Sequence, residues 1–198
     1  MKDRRDFKIP KVSLPKIGNI VLVGLSGSGK TTLAFHLAWQ LGLGLIDSDQ
    51  EIEFIKKKKI SEVFSEEGER SFRERESQLI QQLIPIRNHV IALGAGALEN
   101  DKNYEKVKSL GAIVWVNTDP HVIAWRLAHN LMELKKRPCL SDCMGDGGVL
   151  HTFGLLKPRI EDMYLRRSVR YANADFVLKD NISPPEVSAR NLIEMMMQ

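Results

Sequence analysis

The nine residues from Gly24 to Thr32 combine the residue types that phosphate chemistry requires. They read Gly-Leu-Ser-Gly-Ser-Gly-Lys-Thr-Thr and match G-x-x-x-x-G-K-[ST], with Gly24, Gly29, Lys30 and Thr31 in the fixed positions. Glycines let successive backbone N–H groups turn toward phosphate oxygens. A lysine at this spacing meets the β- and γ-phosphates, and a threonine hydroxyl binds Mg²⁺. The loop therefore predicts a site for ATP and Mg²⁺.

The segments on either side place this loop between a strand and a helix. The run 20–23 is apolar and rich in β-branched residues, and Leu33, Leu37 and Leu41 follow at helical spacing. The N-terminus of a helix that follows a strand is a favourable place for an anion. We expect the nucleotide to contact Gly27, Ser28, Gly29, Lys30, Thr31 and Thr32.

Short apolar runs alternate with helical patterns along the rest of the chain. Strands are predicted at 20–24, 44–47, 89–93, 112–117 and 174–178, and helices at 30–42, 49–58, 60–66, 69–87, 102–109, 119–134, 158–171 and 184–196. Pro158 would then stand near a helix start. Fully apolar strands between helices favour a parallel sheet that is covered on both faces. The predicted fold is a three-layer α/β nucleotide-binding fold with a five-stranded parallel sheet.

The charge distribution separates a basic N-terminal extension, residues 1–18, from a balanced domain at 19–198. Of the 29 basic and 25 acidic residues, the extension holds six and two, so the domain has 23 of each sign. A nucleic-acid surface is therefore not predicted. The length suits one domain. No apolar run reaches the roughly 18 residues that a membrane span needs, and no secretory signal is recognisable. We expect a cytoplasmic monomer.

Two pairs of charged residues lie where the pattern calls for a ligand site. Asp47 and Asp49 follow an apolar strand, and residues two apart on extended chain share a face. One could serve Mg²⁺ and the other a substrate hydroxyl, although an aspartate here would also cap the next helix. Glu76 falls inside the apolar stripe of a helix, with Arg73 three residues before it. This pair is either an internal ion pair or a guanidinium that points into the cleft.

Three further features point to the same cleft. Gly94-Ala95-Gly96 follows a predicted strand, where small residues allow a ligand to approach the backbone. The glycine-rich segment 137–157 is polar and predicts a mobile lid between two helices. Arg137 opens this segment and Arg159 follows it. A lid arginine could stabilise the charge that develops during phosphoryl transfer.

Taken together, these residues resemble the shikimate kinase family. The resemblance runs from about Asn19 to Asp180 and rests on the phosphate loop, Asp47-Ser48-Asp49, the segment 72–76, Gly94-Ala95-Gly96, and Arg137-Pro138 before the lid. It implies transfer of the γ-phosphate of ATP to the 3-hydroxyl of shikimate, the small-molecule partner.

The resemblance also implies a role for each residue. Asp49 would hold the substrate hydroxyls and accept the proton, and Asp47 would join Thr31 in serving Mg²⁺. Lys30 and Arg137 would stabilise the transferring group. Arg73 and Arg159 would grip the substrate carboxylate, and Gly94, Ala95 and Gly96 would line the same pocket.

The chain departs from the family pattern at three places. Ala95 replaces a glycine, Cys139 replaces a leucine, and residues 180–184 lack a basic residue on the adenine side, so Arg126 is expected to pack on adenine. Two other functions remain open from the residues. The chain could be another small-molecule kinase, such as a gluconate kinase, or a non-catalytic nucleotide-binding regulator.

Overall fold

The computed structural model describes residues 18–179 and 183–198. Most of the predicted N-terminal extension, and part of the segment 180–184, lie outside these residues. The strands are β1 (Asn19–Val23), β2 (Gly44–Asp47), β3 (His89–Ala92), β4 (Ala112–Val116) and β5 (Phe176–Leu178).

Helices follow nearly every strand. They are α1 (Lys30–Leu41), α2 (Ser48–Lys56), α3 (Ile60–Leu83), α4 (Asp101–Leu110), α5 (Pro120–His129), α6 (Leu131–Lys135), α7 (Gly148–Tyr171) and α8 (Pro185–Met196), with a 3₁₀ helix at Pro138–Cys143. Within the two described ranges, every helix is too short or too polar to cross a lipid bilayer.

The five strands form one parallel sheet in the order β2-β3-β1-β4-β5. Strand β1, which leads into the phosphate loop, lies at the centre. Its five residues are all buried because helices cover both faces of the sheet. The predicted three-layer α/β fold is confirmed.

The apolar core has two parts, one on each face of the sheet. Alternate residues of β1 supply both parts, since successive side chains of a strand point to opposite faces. Helices α3, α4, α5 and α7 pack on the face that includes Val21 and Val23, and α1 and α8 pack on the face of Ile20 and Leu22. The carboxyl ends of the strands are thereby fixed at one edge.

The helix boundaries at Gly68 and Asn130 differ from the predicted ones. At Gly68 (φ 78°, ψ 167°) α3 bends sharply, so the two helices predicted at 60–66 and 69–87 meet there, and the second ends at Leu83. The helix predicted at 119–134 is interrupted at Asn130, whose side chain accepts a hydrogen bond from the N–H of Glu133 at 3.1 Å. An asparagine that caps a new helix competes with continuation of the old one.

The prediction of an irregular lid at 137–157 is wrong in its local structure. The 3₁₀ helix takes up its first part, and α7 begins at Gly148 instead of 158. Pro158 therefore lies inside α7 and not near its start. A proline at this position lacks the N–H that would bond to the carbonyl of Gly154, four residues earlier. The helix nevertheless continues through this missing bond to Tyr171.

The last strand begins later than predicted. Asp175 lies ahead of Phe176 and accepts a hydrogen bond from the backbone N–H of Ile113 at 2.8 Å through its side chain. The N–H of Ile113 on β4 is therefore bonded to a side chain and is not available to a backbone carbonyl of a longer β5. The strand therefore covers Phe176–Leu178 and not the predicted 174–178.

Candidate active site

The phosphate loop owes its shape to three glycines. Gly24, Gly27 and Gly29 have φ angles of 146°, 86° and 95°, in the region that L side chains rarely adopt. A Cβ at Gly24 would also lie 2.6 Å from the carbonyl oxygen of Val116. Gly29 ends the loop as the N-cap of α1. The unpaired N–H groups of the helix start therefore face the position of a bound phosphate.

Lys30 is held across the mouth of this loop. Its Nζ donates to the carbonyl oxygens of Gly24 at 2.9 Å and Leu25 at 2.8 Å, and the residue is 9% exposed. Burial lowers the pKa of Lys30 to about 8, against the opposing charges of Asp49 and Asp47. The ammonium group of Lys30 therefore lies against the loop, where it can reach the oxygens of a bound phosphate.

Thr31 and Asp47 meet beside the lysine. Thr31 Oγ1 donates to Asp47 Oδ2 at 2.6 Å. Asp47 Oδ1 accepts from the backbone N–H groups of Asp49 at 3.0 Å and Gln50 at 3.3 Å. Asp47 is therefore the N-cap of α2, as the capping interpretation predicted, and its second oxygen also reaches the phosphate loop.

This pair suits a magnesium ion. A hydroxyl and a carboxylate oxygen at one point are the hard donors that Mg²⁺ prefers, and the ion takes its other ligands from phosphates and water. No group of three or more His, Cys, Asp or Glu in the described parts of the chain is arranged as a metal site. The residues present fit an ion that arrives with a nucleotide.

A cleft of about 1720 Å³ opens from the loop along the carboxyl edge of the sheet. Ligands of open α/β sheets bind at this edge. The cleft brings together nearly all of the predicted site residues, and only Arg159 of that set lies outside it. Those lining it are Gly27, Ser28, Gly29, Lys30, Thr31, Thr32, Asp47, Asp49, Arg73, Gly94, Ala95, Gly96, Arg126 and Arg137.

Two carboxyl groups lie close together in the middle of the cleft, that of the buried Glu76 and that of Asp49, which is exposed. A Cβ at Gly94 would lie 2.5 Å from Glu76 Oε1 and 2.8 Å from Asp49 Oδ1. Desolvation by the surrounding groups, followed by the charge of Asp47, raises the pKa of Asp49 to about 6. Burial raises the pKa of Glu76 to about 7 despite the attraction of Arg73. A carboxyl group with the pKa of Asp49 can accept a proton close to neutral pH.

Arg73 lies beside this acidic pair. Its Nη1 donates to Glu76 Oε2 at 3.1 Å, and its Nη2 donates to Glu69 Oε1 at 3.0 Å. A Cβ at Gly96 would lie 2.3 Å from Nη1. The predicted Arg73–Glu76 contact is present, and the guanidinium also lines the cleft. The two interpretations of the pair are therefore compatible.

The two glycines of the turn after β3 are explained by close neighbouring side chains, because neither glycine has a positive φ. Gly94 and Gly96 are absent from the residues with positive φ, and so is Ala95. The close approach of acidic and guanidinium groups excludes a side chain at both glycines. Ala95 therefore adopts a backbone conformation that an alanine takes without strain. Its carbonyl oxygen accepts a hydrogen bond from Tyr171 Oη at 2.5 Å.

Arg137 lines the opposite wall. Its Nη1 donates to the backbone oxygen of Glu133 and, at 3.2 Å, to Glu133 Oε2. Its Nε is buried and lacks a hydrogen-bond partner in the described protein. Arg126, an exposed residue of α5, lines the same cleft. Two positive charges besides Lys30 therefore face the cleft from this part of the chain, and Arg137 is close enough to Lys30 to influence its pKa.

The structure places Arg167, and not the predicted Arg159, in the cleft with Arg73. Arg159 is exposed on α7 and lies outside the cleft. Arg167 lines the cleft, has 11% of its side chain exposed, and donates from Nε to Glu99 Oε1 at 2.6 Å. The sequence held a signal for it. Arg167 is four residues from both Met163 and Tyr171 in the buried stripe of α7, as Glu76 is in that of α3.

The sheet, the phosphate loop and the charged cleft together define a P-loop small-molecule kinase. A sequence model of shikimate kinases matches residues 26–197. A shikimate kinase of Chlorobium limicola is 36% identical over 183 residues, which cover 90% of this chain and 88% of that protein. The shikimate kinase of Chlorobaculum tepidum is 36% identical over 159 residues, 80% of each chain. This chain belongs to the shikimate kinase family.

Solved structures agree with this assignment. The shikimate kinase from Acinetobacter baumannii in complex with shikimate has a TM-score of 0.82 at 28% identity, over 95% of this chain and 97% of that one. The enzyme from Bacteroides thetaiotaomicron has a TM-score of 0.77 at 27% identity, over 92% and 99%. A gluconokinase from Sinorhizobium meliloti, at 16% identity and a TM-score of 0.52, shares the fold alone.

Proposed function

We propose that this protein transfers the γ-phosphate of ATP to the 3-hydroxyl group of shikimate. The observation that carries the proposal is the content of one cleft. It joins a phosphate loop with Lys30, an aspartate, Asp49, whose pKa is raised to about 6, and two arginines, Arg73 and Arg167, that line the same cleft. Membership of the shikimate kinase family supports this choice of acceptor.

The substrate side would hold shikimate at both ends. Arg73 and Arg167 would bind its carboxylate, because guanidinium groups suit bidentate contact with a carboxylate. Asp49 would accept hydrogen bonds from its hydroxyl groups. The backbone of the turn Gly94–Gly96 would form the floor of this pocket, since its small residues allow close approach.

In the chemical step the 3-hydroxyl oxygen attacks the γ-phosphorus. A new O–P bond forms while the bond from the γ-phosphorus to the β,γ-bridging oxygen breaks, and ADP leaves. The hydroxyl proton passes to Asp49. Lys30 and Arg137 stabilise the negative charge on the moving group. Thr31 and Asp47 would hold Mg²⁺, which supplies neutralisation of phosphate charge when it is bound.

The cleft wall would complete the site. Arg126 would pack near adenine, and the segment 137–157 would act as a lid that carries Arg137 onto the phosphates and excludes water. We also infer that the protein works as a cytoplasmic monomer, because one chain supplies every group named above and the cytoplasm supplies ATP.

A coupled ADP-release assay tests the proposal. Shikimate, gluconate, nucleoside monophosphates and a blank without acceptor are compared at equal ATP and Mg²⁺. ADP release is expected with shikimate and at background with the others. The Asp49→Asn variant keeps the shape of the side chain and should lose most of kcat.

Gluconate as the better acceptor would favour the other kinase. Background rates with every acceptor, in a folded protein that still binds ATP, would favour the non-catalytic regulator.

A further inference from the structure

Glu99 contacts both arginines that we assign to the substrate carboxylate. Its Oε1 accepts from Arg167 Nε at 2.6 Å, and its Oε2 lies 3.9 Å from Arg73 Nη2. One carboxylate group thus links α3 to α7 through their two guanidinium groups. The sequence patterns described above give Glu99 no role.

The geometry of this contact leaves the binding edge of Arg167 available. A guanidinium has donors on more than one edge in a fixed plane, and Glu99 takes the Nε donor. The edge formed by the two Nη groups is the one that suits a second carboxylate in bidentate fashion. Arg167 lines the main cleft, whereas Glu99 does not.

Glu99 instead borders a separate cavity of about 140 Å³ with Ala95 and Tyr171, and Arg167 lines both this cavity and the cleft. Its side chain is 44% exposed, while that of Arg167 is 11% exposed. The carboxylate therefore stands behind the guanidinium as seen from the substrate. It would act through Arg167 and not by touching the substrate.

The base that carries Glu99 is tied to α7 at two further points. Tyr171 Oη donates to the carbonyl oxygen of Ala95 at 2.5 Å, and Arg170 pairs with Asp101. The segment 95–101 and the end of α7 are therefore held together on both sides of Glu99. A carboxylate on such a base can fix the direction of a long side chain.

We propose that Glu99 is a positioning residue that fixes Arg167, so that Arg167 and Arg73 converge on the substrate carboxylate. The proposal rests on the proposed function, because it assumes that these two arginines bind shikimate. Without Glu99, the guanidinium of Arg167 gains rotational freedom and loses the fixed direction that bidentate binding requires.

Variants at Glu99 test this role. Glu99→Ala should raise the KM for shikimate about five- to twentyfold, while kcat and the KM for ATP stay within about twofold. Glu99→Gln keeps a neutral acceptor for Nε and should lie between the native and alanine values. The matched control is Asp162→Asn, which weakens the exposed Asp162–Arg166 pair on the outside of α7, a pair of which neither residue is ion-paired with Glu99 or lines the cleft. It should leave all three constants near native.

A double-mutant cycle with Arg167→Met separates positioning from an independent effect. If Glu99 acts through Arg167, Glu99→Ala should have no further effect on the shikimate KM in the Arg167→Met background. An undiminished effect there would overturn the proposal. So would tighter shikimate binding in Glu99→Ala, because Glu99 would then be a competitor of the substrate.

The single variant Arg167→Met tests separately whether Arg167 binds the substrate. An Arg167→Met enzyme with native KM for shikimate would remove Arg167 from substrate binding, and the positioning role of Glu99 with it. If Arg167→Met raises this KM while Glu99→Ala does not, only the role of Glu99 is wrong.

Discussion

The two halves of the cleft are built by different means. On the phosphate side, nine consecutive residues form the loop and the first turn of α1, and three glycines with positive φ set the backbone shape. On the substrate side, the ligand groups are side chains on α2, α3 and α7, with the turn after β3 between them. The first half depends on local sequence, whereas the second depends on how separate helices pack.

This difference predicts how each half responds to substitution. On the phosphate side, the proposed chemistry falls on Lys30 together with Arg137, so loss of Lys30 should act on the rate. On the substrate side, Arg73, Glu76 and Glu99 share contacts, so a change at one alters the others. Effects there should fall on binding and on stability together.

The largest effect is expected at Lys30. Lys30→Met should lower kcat on the order of 10³-fold, with the KM for shikimate changed less than about threefold, because the lost charge acts on the transferring phosphoryl group. Steady-state kinetics on a variant with native circular dichroism provides the measurement. Lys102→Met, at an exposed position of α4, is the control. A near-native kcat would show that Lys30 does not stabilise the transferring phosphoryl group.

On the substrate side, Arg167 and Arg159 make a matched pair on one helix. Arg167→Lys should raise the KM for shikimate about ten- to hundredfold and leave the KM for ATP nearly unchanged, because lysine lacks the bidentate fork. Arg159→Lys should change neither constant, since Arg159 is exposed outside the cleft. If Arg159→Lys raises the KM for shikimate and Arg167→Lys does not, the assignment of Arg159 to the substrate carboxylate, made from the sequence, is correct.

The buried acid on the substrate side should be visible in the pH dependence of stability. Burial raises the pKa of Glu76 to about 7, against Arg73, while Asp49 and Glu99 add to the rise. The stabilisation from this protonated group is full below the ordinary pKa of about 4.5 and is lost as pH rises through about 7.

Glu76→Gln should therefore flatten the fall in the free energy of unfolding between about pH 4.5 and pH 7, a difference on the order of 1–3 kcal/mol. Urea unfolding at several pH values provides the measurement. An equally steep fall in the variant would mean that Glu76 stays ionised throughout. Glu74→Gln, at an exposed position of the same helix, is the control.

The smallest effect is expected at Ala95. Its φ is not positive, so alanine is unstrained there, and its carbonyl is already held by Tyr171. Ala95→Gly should change the shikimate KM by less than tenfold, or under about 1.4 kcal/mol. A hundredfold gain in activity from a nearly inactive parent would instead show that alanine blocks the site.

The same contrast explains what could be predicted from sequence. The phosphate loop, the alternating elements and Glu76 inside an apolar stripe were all local signals, and the loop, fold and Arg73–Glu76 contact followed from them. Arg167 was missed although the predicted helix 158–171 contained it together with Met163 and Tyr171. Arg159 and Arg167 both lie on that helix, and only its packing shows that Arg167 lines the cleft and Arg159 does not.

Other features depended on tertiary contacts that no local pattern reports. The glycines at 94 and 96 are needed because Glu76, Asp49 and Arg73 approach them from other elements. A role for Glu99 follows only from its contacts with Arg73 of α3 and Arg167 of α7, which the folded chain brings to it. The roles of the site residues remain predictions that the variants above test.

The hydrogen bond that is missing between Gly154 and Pro158 weakens α7 at one turn, although the helix runs unbroken from Gly148 to Tyr171. The part before Pro158 belongs to the proposed lid, and the part after it carries Arg167 and Tyr171. Because glycine is also a weak helix former, we expect the first part to open more readily than the second. Backbone amides before Pro158 should therefore exchange with solvent faster than those after it. The proposed lid movement would then be local unwinding of a helix end, and Arg167 would keep its place in the cleft while the lid opens.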